Sequence, residues 1–79
     1  MGGYGGRLMK ISLEKVERIL AEKSMTKAKF AQRAKKKKSA LSMLLNRARD
    51  GQEFQPATVG ILASALGVPV QAILDDKTP

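Results

Sequence analysis

From residue 12 onward, apolar side chains recur three and four positions apart in short stretches, and each stretch is bracketed by residues that start or stop helices. Ser12 stands ahead of Leu13, Val16, Ile19 and Leu20. That spacing predicts a first helix from Leu13 to Lys23, capped by Ser12 and carrying Glu14 in the turn where the helix dipole favours an acid. Thr26 is the next cap, and Phe30, Ala31 and Ala34 share one side of a short second helix, Lys27 to Ala34, with Lys27, Lys29, Gln32 and Arg33 on the other. The run Lys35-Lys36-Lys37-Lys38 has no apolar residue and repels itself, so it reads as a turn. A third helix follows over Lys38 to Asn46, with Leu41, Leu44 and Leu45 inward and Ser39, Ser42, Met43 and Asn46 outward.

The pattern then lapses. Asn46 to Gln55, with Arg47, Arg49 and the turn-forming pair Asp50-Gly51, reads as the longest loop. Pro56 suits the first position of a fourth helix, which carries Val59, Leu62, Ala63 and Leu66 on one face and stops at Gly67. Pro69 opens a short fifth helix through Leu74, its apolar residues Val70, Ile73 and Leu74 either completing the core or forming a two-fold contact. Asp75 to Pro79 reads as a fraying polar tail. No alternating stretch predicts a strand and no repeat is visible, so the expectation is an all-α domain of five short helices.

Composition narrows the chemistry. With 79 residues there is room for one domain, of a size at which the core only narrowly offsets chain entropy. The first eight residues, MGGYGGRL, hold four glycines and read as an expression leader ahead of a domain spanning residues 9–79. The chain has no Cys and no His, which removes disulfide frameworks, thiolate nucleophiles, imidazole bases and nearly every zinc site. The Glu and Asp residues are scattered rather than paired on one face, and no glycine loop within the fold would cradle a phosphate. An enzyme is therefore not expected, nor a cofactor or a metal. No apolar run approaches the roughly 18 residues of a membrane span, and the sequence reads as soluble and cytoplasmic.

The net charge is +8, and its distribution matters more than its sum. Between Lys23 and Arg49 lie ten basic residues and no acid, while the rest of the chain carries five basic and seven acidic residues. A patch of this kind is the footprint of a polyanion binder, although a solvated basic face kept for solubility would look similar. An outer helical face of small polar residues, two short helices with a brief turn between them, and a basic surround are what entry into a DNA major groove requires.

Here the sequence resembles the lambda-repressor-like, or Cro-like, helix-turn-helix regulators, over Ile11 to Leu74. The resemblance is carried by Met25-Thr26-Lys27, Phe30-Ala31, Ala34, Ser39-Ala40-Leu41-Ser42, Leu44 and Asn46, then Leu62-Ala63 and Ala65-Leu66-Gly67-Val68. It implies a helix-turn-helix at helices 2 and 3 and a sequence-specific regulator of transcription, a repressor of the phage, plasmid or mobile-element type, binding double-stranded DNA. It further implies that Lys38, Ser39, Ser42 and Met43 face base edges, that Asn46 and Lys27 meet the DNA backbone, and that Arg47 and Arg49 grip phosphates from the loop after helix 3. The side-chain chemistry agrees: lysine donates to guanine, serine donates or accepts, and Met43 can touch a thymine methyl. Solvent tolerance or capping accounts for Ser39 and Ser42 equally well, and Met43 also reads as an ordinary half-exposed residue.

The turn departs from the family pattern. A glycine, an apolar residue and a small capping residue are common there, whereas this chain has Lys35, Lys36 and Lys37. If the family's turn is kept, a left-handed backbone at Lys35 costs about 1–2 kcal/mol and Lys36 is buried only by laying its stem along the core with its ammonium in water; a differently shaped turn is the alternative. In return, Lys35, Lys36 and Lys37 would lie near phosphates and release counterions. Homodimer formation on a palindromic site is the usual arrangement in the family. Two other readings stand beside this one: an antitoxin repressing its own operon, with a toxin or co-regulator as protein partner, and a module that holds nucleic acid by charge without reading it. RNA is disfavoured because only Tyr4, Phe30 and Phe54 are aromatic. The basic stretch also lacks the broad apolar face of a membrane-surface helix.

Overall fold

Ser12 and Thr26 both start helices by the same local chemistry. In the computed structural model, which describes residues 8–75, Ser12 Oγ accepts from the Lys15 N–H at 3.2 Å and Thr26 Oγ1 from the Lys29 N–H at 3.1 Å. Each satisfies one of the amide donors that a helix start leaves without an intrahelical partner. They open α1 (Leu13–Glu22) and α2 (Lys27–Arg33). Two further helices follow, α3 (Lys38–Arg49) and α4 (Pro56–Leu66), the latter with Pro56 in its first turn.

The four helices end alike. At each end a residue with positive φ reverses the chain, and its own N–H and that of the residue after it return to carbonyls of the last turn. Glycine supplies the reversal after α3 (Gly51, φ 83°) and α4 (Gly67, φ 74°). After α1 and α2 the same position is held by Ser24 (φ 51°) and Lys35 (φ 59°), which carry a Cβ into a conformation that favours glycine.

Three features differ from the sequence expectations. α3 runs to Arg49 rather than ending at Asn46, because Ala48 extends the buried stripe of Leu41 and Leu45 by another turn and the Gly51 reversal ends the helix after it. The fifth helix is a single 3-10 turn, Val70–Ala72, since too few residues separate Pro69 from the returning chain for an α-helix to propagate. Finally, a small sheet is present: β1 (Met9–Lys10) pairs antiparallel with β2 (Glu53–Phe54), Met9 opposite Phe54 and Lys10 opposite Glu53. Two-residue strands are too short to show alternation, which is why no strand was expected.

On its other side β1 continues into a bridge between Ile11 and Leu74, flanked by Ser12 N–H to Ile73 O at 2.8 Å and Asp75 N–H to Lys10 O at 3.1 Å. Lys15 Nζ adds a bond to Leu74 O at 3.0 Å. Asp75 is thus tied to the body of the protein instead of starting a tail; residues 76–79 and nearly all of the expected leader lie outside the described residues.

The core is wholly apolar and unites every element: Val16 from α1, Phe30 from α2, Leu41 from α3, Val59, Leu62 and Leu66 from α4, and Ile73 after the 3-10 turn are fully buried. Of the three apolar residues there, Ile73 fills the core of the chain, and Val70 and Leu74 pack half-buried beside it. Phe54, read as loop, is buried too. Among the described residues no helix is long and apolar enough to cross a membrane.

Candidate nucleic-acid interface

The link between α2 and α3 is where the sequence pattern and the backbone meet most closely. Ala34 N–H continues the helical ladder to Phe30 O at 2.9 Å, Lys35 N–H turns back to Gln32 O at 3.1 Å, and Lys36 N–H reaches Ala31 O at 2.9 Å. This is the hydrogen-bond pair of a Schellman motif, with Lys35 in the left-handed position that the sequence made costly. The residue after the reversal ordinarily lays an apolar group back on the helix; Lys36 takes that place half-buried, as a snorkelling stem requires.

Lys37 then caps α3 with its backbone alone. Its carbonyl accepts from Leu41 N–H at 2.9 Å, but its side chain makes no capping bond, and the first turn of α3 holds no acid. The amide donors at this helix start therefore have no side-chain acceptor, and Lys37 and Lys38 put positive charge at the positive end of the helix dipole. α2 repeats the charge, with Lys27 and Lys29 in its first turn, although there Thr26 supplies the side-chain cap. Both helices start with the sign of charge that an intrinsic helix would avoid and that a bound anion would relieve.

Along α3 the two faces separate cleanly. Leu41, Leu45 and Ala48 are buried and Leu44 is half-buried, whereas Lys38, Ser39, Met43, Asn46, Arg47 and Arg49 are exposed and Ser42 is half-buried. Met43, at 64% exposure, is the most exposed large apolar side chain among the described residues. Ala40 is also exposed, a small residue on the first turn that the sequence reading left out. Arg47 and Arg49 belong to the last turn of α3, not to a flexible loop, and there the negative end of the dipole favours them. Arg49 Nη2 donates to Asn46 Oδ1 at 2.8 Å, so the Asn46 carbonyl is occupied and its amide N–H groups remain as donors. The signal for this extension is Gly51 itself, a helix-stop residue placed six positions, or more than one and a half turns, beyond the last leucine of the helix.

Of the eleven residues singled out from sequence, ten thus fall on the short link and on α3. Lys27 is separated from them by the length of α2, about 10 Å at the α-helical rise. α2 is anchored at its far end by Arg33, whose Nε donates to Ala65 O at 2.8 Å. That bond satisfies a carbonyl in the last turn of α4 and fixes the link against it. Among the described residues no group of His, Cys, Asp or Glu side chains could hold a metal ion. Compared with protein-family models, curated proteins and solved structures, the chain shows no significant match to any.

Proposed function

We propose that the protein binds double-stranded DNA by laying α3 in the major groove, as a sequence-specific regulator of the lambda-repressor-like kind acting as a repressor in the cytoplasm. One observation carries the reading: the outward face of α3 presents Ser39, Ser42, Met43 and Asn46 between two groups of cations, Lys35 to Lys38 before it and Arg47 and Arg49 at its end. A helix of 12 residues is about 18 Å long and the major groove is about 12 Å wide, so cations at both helix ends reach phosphates while the residues between them address base edges.

In this reading the roles divide by position. Lys38, Ser39, Ser42 and Met43 meet bases. Lys35, Lys36 and Lys37, together with the open amides of the α3 start, meet phosphates on one side; Asn46, Arg47 and Arg49 meet them on the other, with Lys27 contributing from the start of α2. The hydrogen bond from Arg49 pre-positions Asn46 for that contact. A regulator of this type reads two half-sites about one helical turn apart, roughly 34 Å, as a homodimer. With Ile73 buried in the core, half-buried Val70 and Leu74 are the residues of that segment left to contribute to a two-fold contact.

The concentration of lysines at phosphate-facing positions also favours a second reading, charge-only binding to any duplex. Paired alanine variants distinguish the two. Ser42→Ala relaxes base preference at one position and Asn46→Ala weakens all duplexes about equally if α3 reads sequence; charge-only binding leaves the Ser42→Ala profile unchanged. Fluorescence anisotropy on a panel of single-position duplex variants measures both.

A further inference from the structure

Between the end of α2 and the outer face of α4 runs an open groove of about 580 Å³. Its floor is Ala57, Gly60, Ile61, Ser64 and Ala65, one side of α4, and its rim is Arg33, Ala34, Lys35 and Lys36. Apart from Ile61 the floor residues are small and leave open space above them: a Cβ built on Gly60 meets nothing within 4 Å. Ile61 stands out of it 44% exposed, on a helix whose other large apolar residues, Val59, Leu62 and Leu66, are buried. Every charged residue of the rim is a cation, and although Arg33 Nε is engaged with Ala65 O, its Nη groups have no partner among the described residues.

We propose that this groove is the docking site for an acidic amphipathic helix of a partner protein, which sets aliphatic side chains against Ile61 and Gly60 and pairs its carboxylates with Lys35, Lys36 and Arg33. Small floor residues let a second helix approach closely. A nucleic-acid backbone has nothing to place on the aliphatic floor. A second copy of this chain is disfavoured by charge, since a two-fold contact here brings three cations against their equivalents in a chain already carrying +8. Occupancy engages Lys35 and Lys36, so the partner helix competes with duplex; this consequence alone rests on the DNA-binding reading.

The test is an amide NMR titration of the full chain, without DNA, using an end-blocked peptide of about 16 residues with leucines three and four apart and glutamate elsewhere. The proposal expects saturable shifts at Gly60, Ile61 and Ser64, and affinity at least about tenfold lower for Ile61→Glu and Gly60→Glu. Both sites are on the outer face of α4, so the rest of each variant's spectrum should superpose on the parent. The peptide with serine for leucine should not bind. Shifts confined to the lysines and arginines, equal binding of the serine peptide, or self-association of the chain through Gly60 and Ile61 would each overturn it. Saturating peptide should then weaken duplex binding by about tenfold in a separate anisotropy assay. Groove shifts in a chain that binds no duplex would sink the DNA reading and leave the docking site standing.

Discussion

Lys35 and Ser24 occupy equivalent left-handed positions at the ends of α2 and α1, yet they differ in what surrounds them. Glycine at either site removes about 1–2 kcal/mol of backbone strain, offset by about 0.4–1 kcal/mol of extra unfolded-chain entropy. Each of Lys35→Gly and Ser24→Gly should therefore raise stability by about 0.5–1 kcal/mol in chemical denaturation. Only Lys35→Gly should also flatten the salt dependence of duplex binding, by about one unit of slope if it neutralises one phosphate. Equal slopes in the two variants would mean that Lys35 touches no phosphate. At Asn46 the expected loss has two parts, because alanine removes its amide donors and also releases Arg49. Asn46→Ala and Asn46→Ala/Arg49→Ala should accordingly differ by less than the Arg49→Ala effect alone, which a double-mutant cycle on duplex affinity measures.

At the scale of elements, the α2–α3 link is a Schellman reversal followed by a helix start, and its four lysines sit where Gly, an apolar residue, a capping residue and a neutral helix former would be more stable. Lys35 has positive φ, Lys36 is half-buried, and Lys37 caps without its side chain. The combined change Lys35→Gly, Lys36→Val, Lys37→Ser and Lys38→Gln addresses each in turn, adding a side-chain cap for about 1 kcal/mol to the relief at Lys35. The melting temperature should rise by roughly 6–15 °C, at 4–8 °C per kcal/mol for a domain this small. Duplex affinity should fall together with its salt slope. A rise in stability with an unchanged slope would show that the lysines do not trade folding for binding.

The same element shows what the sequence could express. Ser12, Thr26, Pro56 and Gly67 mark helix ends by local chemistry that any chain would obey, and the positions they mark agree with the structure. The end of α3 was misplaced because Asp50-Gly51 serves equally as a turn in a loop and as a helix stop; the choice depends on Ala48 being buried, which is tertiary. β1 and β2 were illegible for a related reason: two residues carry no period, and Phe54 is drawn inward by pairing with a segment more than forty residues away. The outward set on α3 followed from helical period alone, whereas the groove beside Ile61 required the packing of α2 on α4.

For the whole molecule, the two ends of the described segment are brought together: Ile11 bridges Leu74, and Ile73 is fully buried beyond the last turn. In a domain of 79 residues a single such residue carries a large share of the stability. Ile73→Ala should cost about 2–5 kcal/mol and lower the denaturation midpoint without a change in denaturant slope; a loss under about 1 kcal/mol would mean that the C-terminal turn is only loosely attached. The same frame holds α3 outward on the basic side of the molecule, and the central claim is that this helix reads sequence. Selection of bound sites from random duplexes, repeated at two salt concentrations, tests it most directly. A two-fold consensus that persists as affinity falls with salt is the expected result, and enrichment no better than background at both salt concentrations would contradict it.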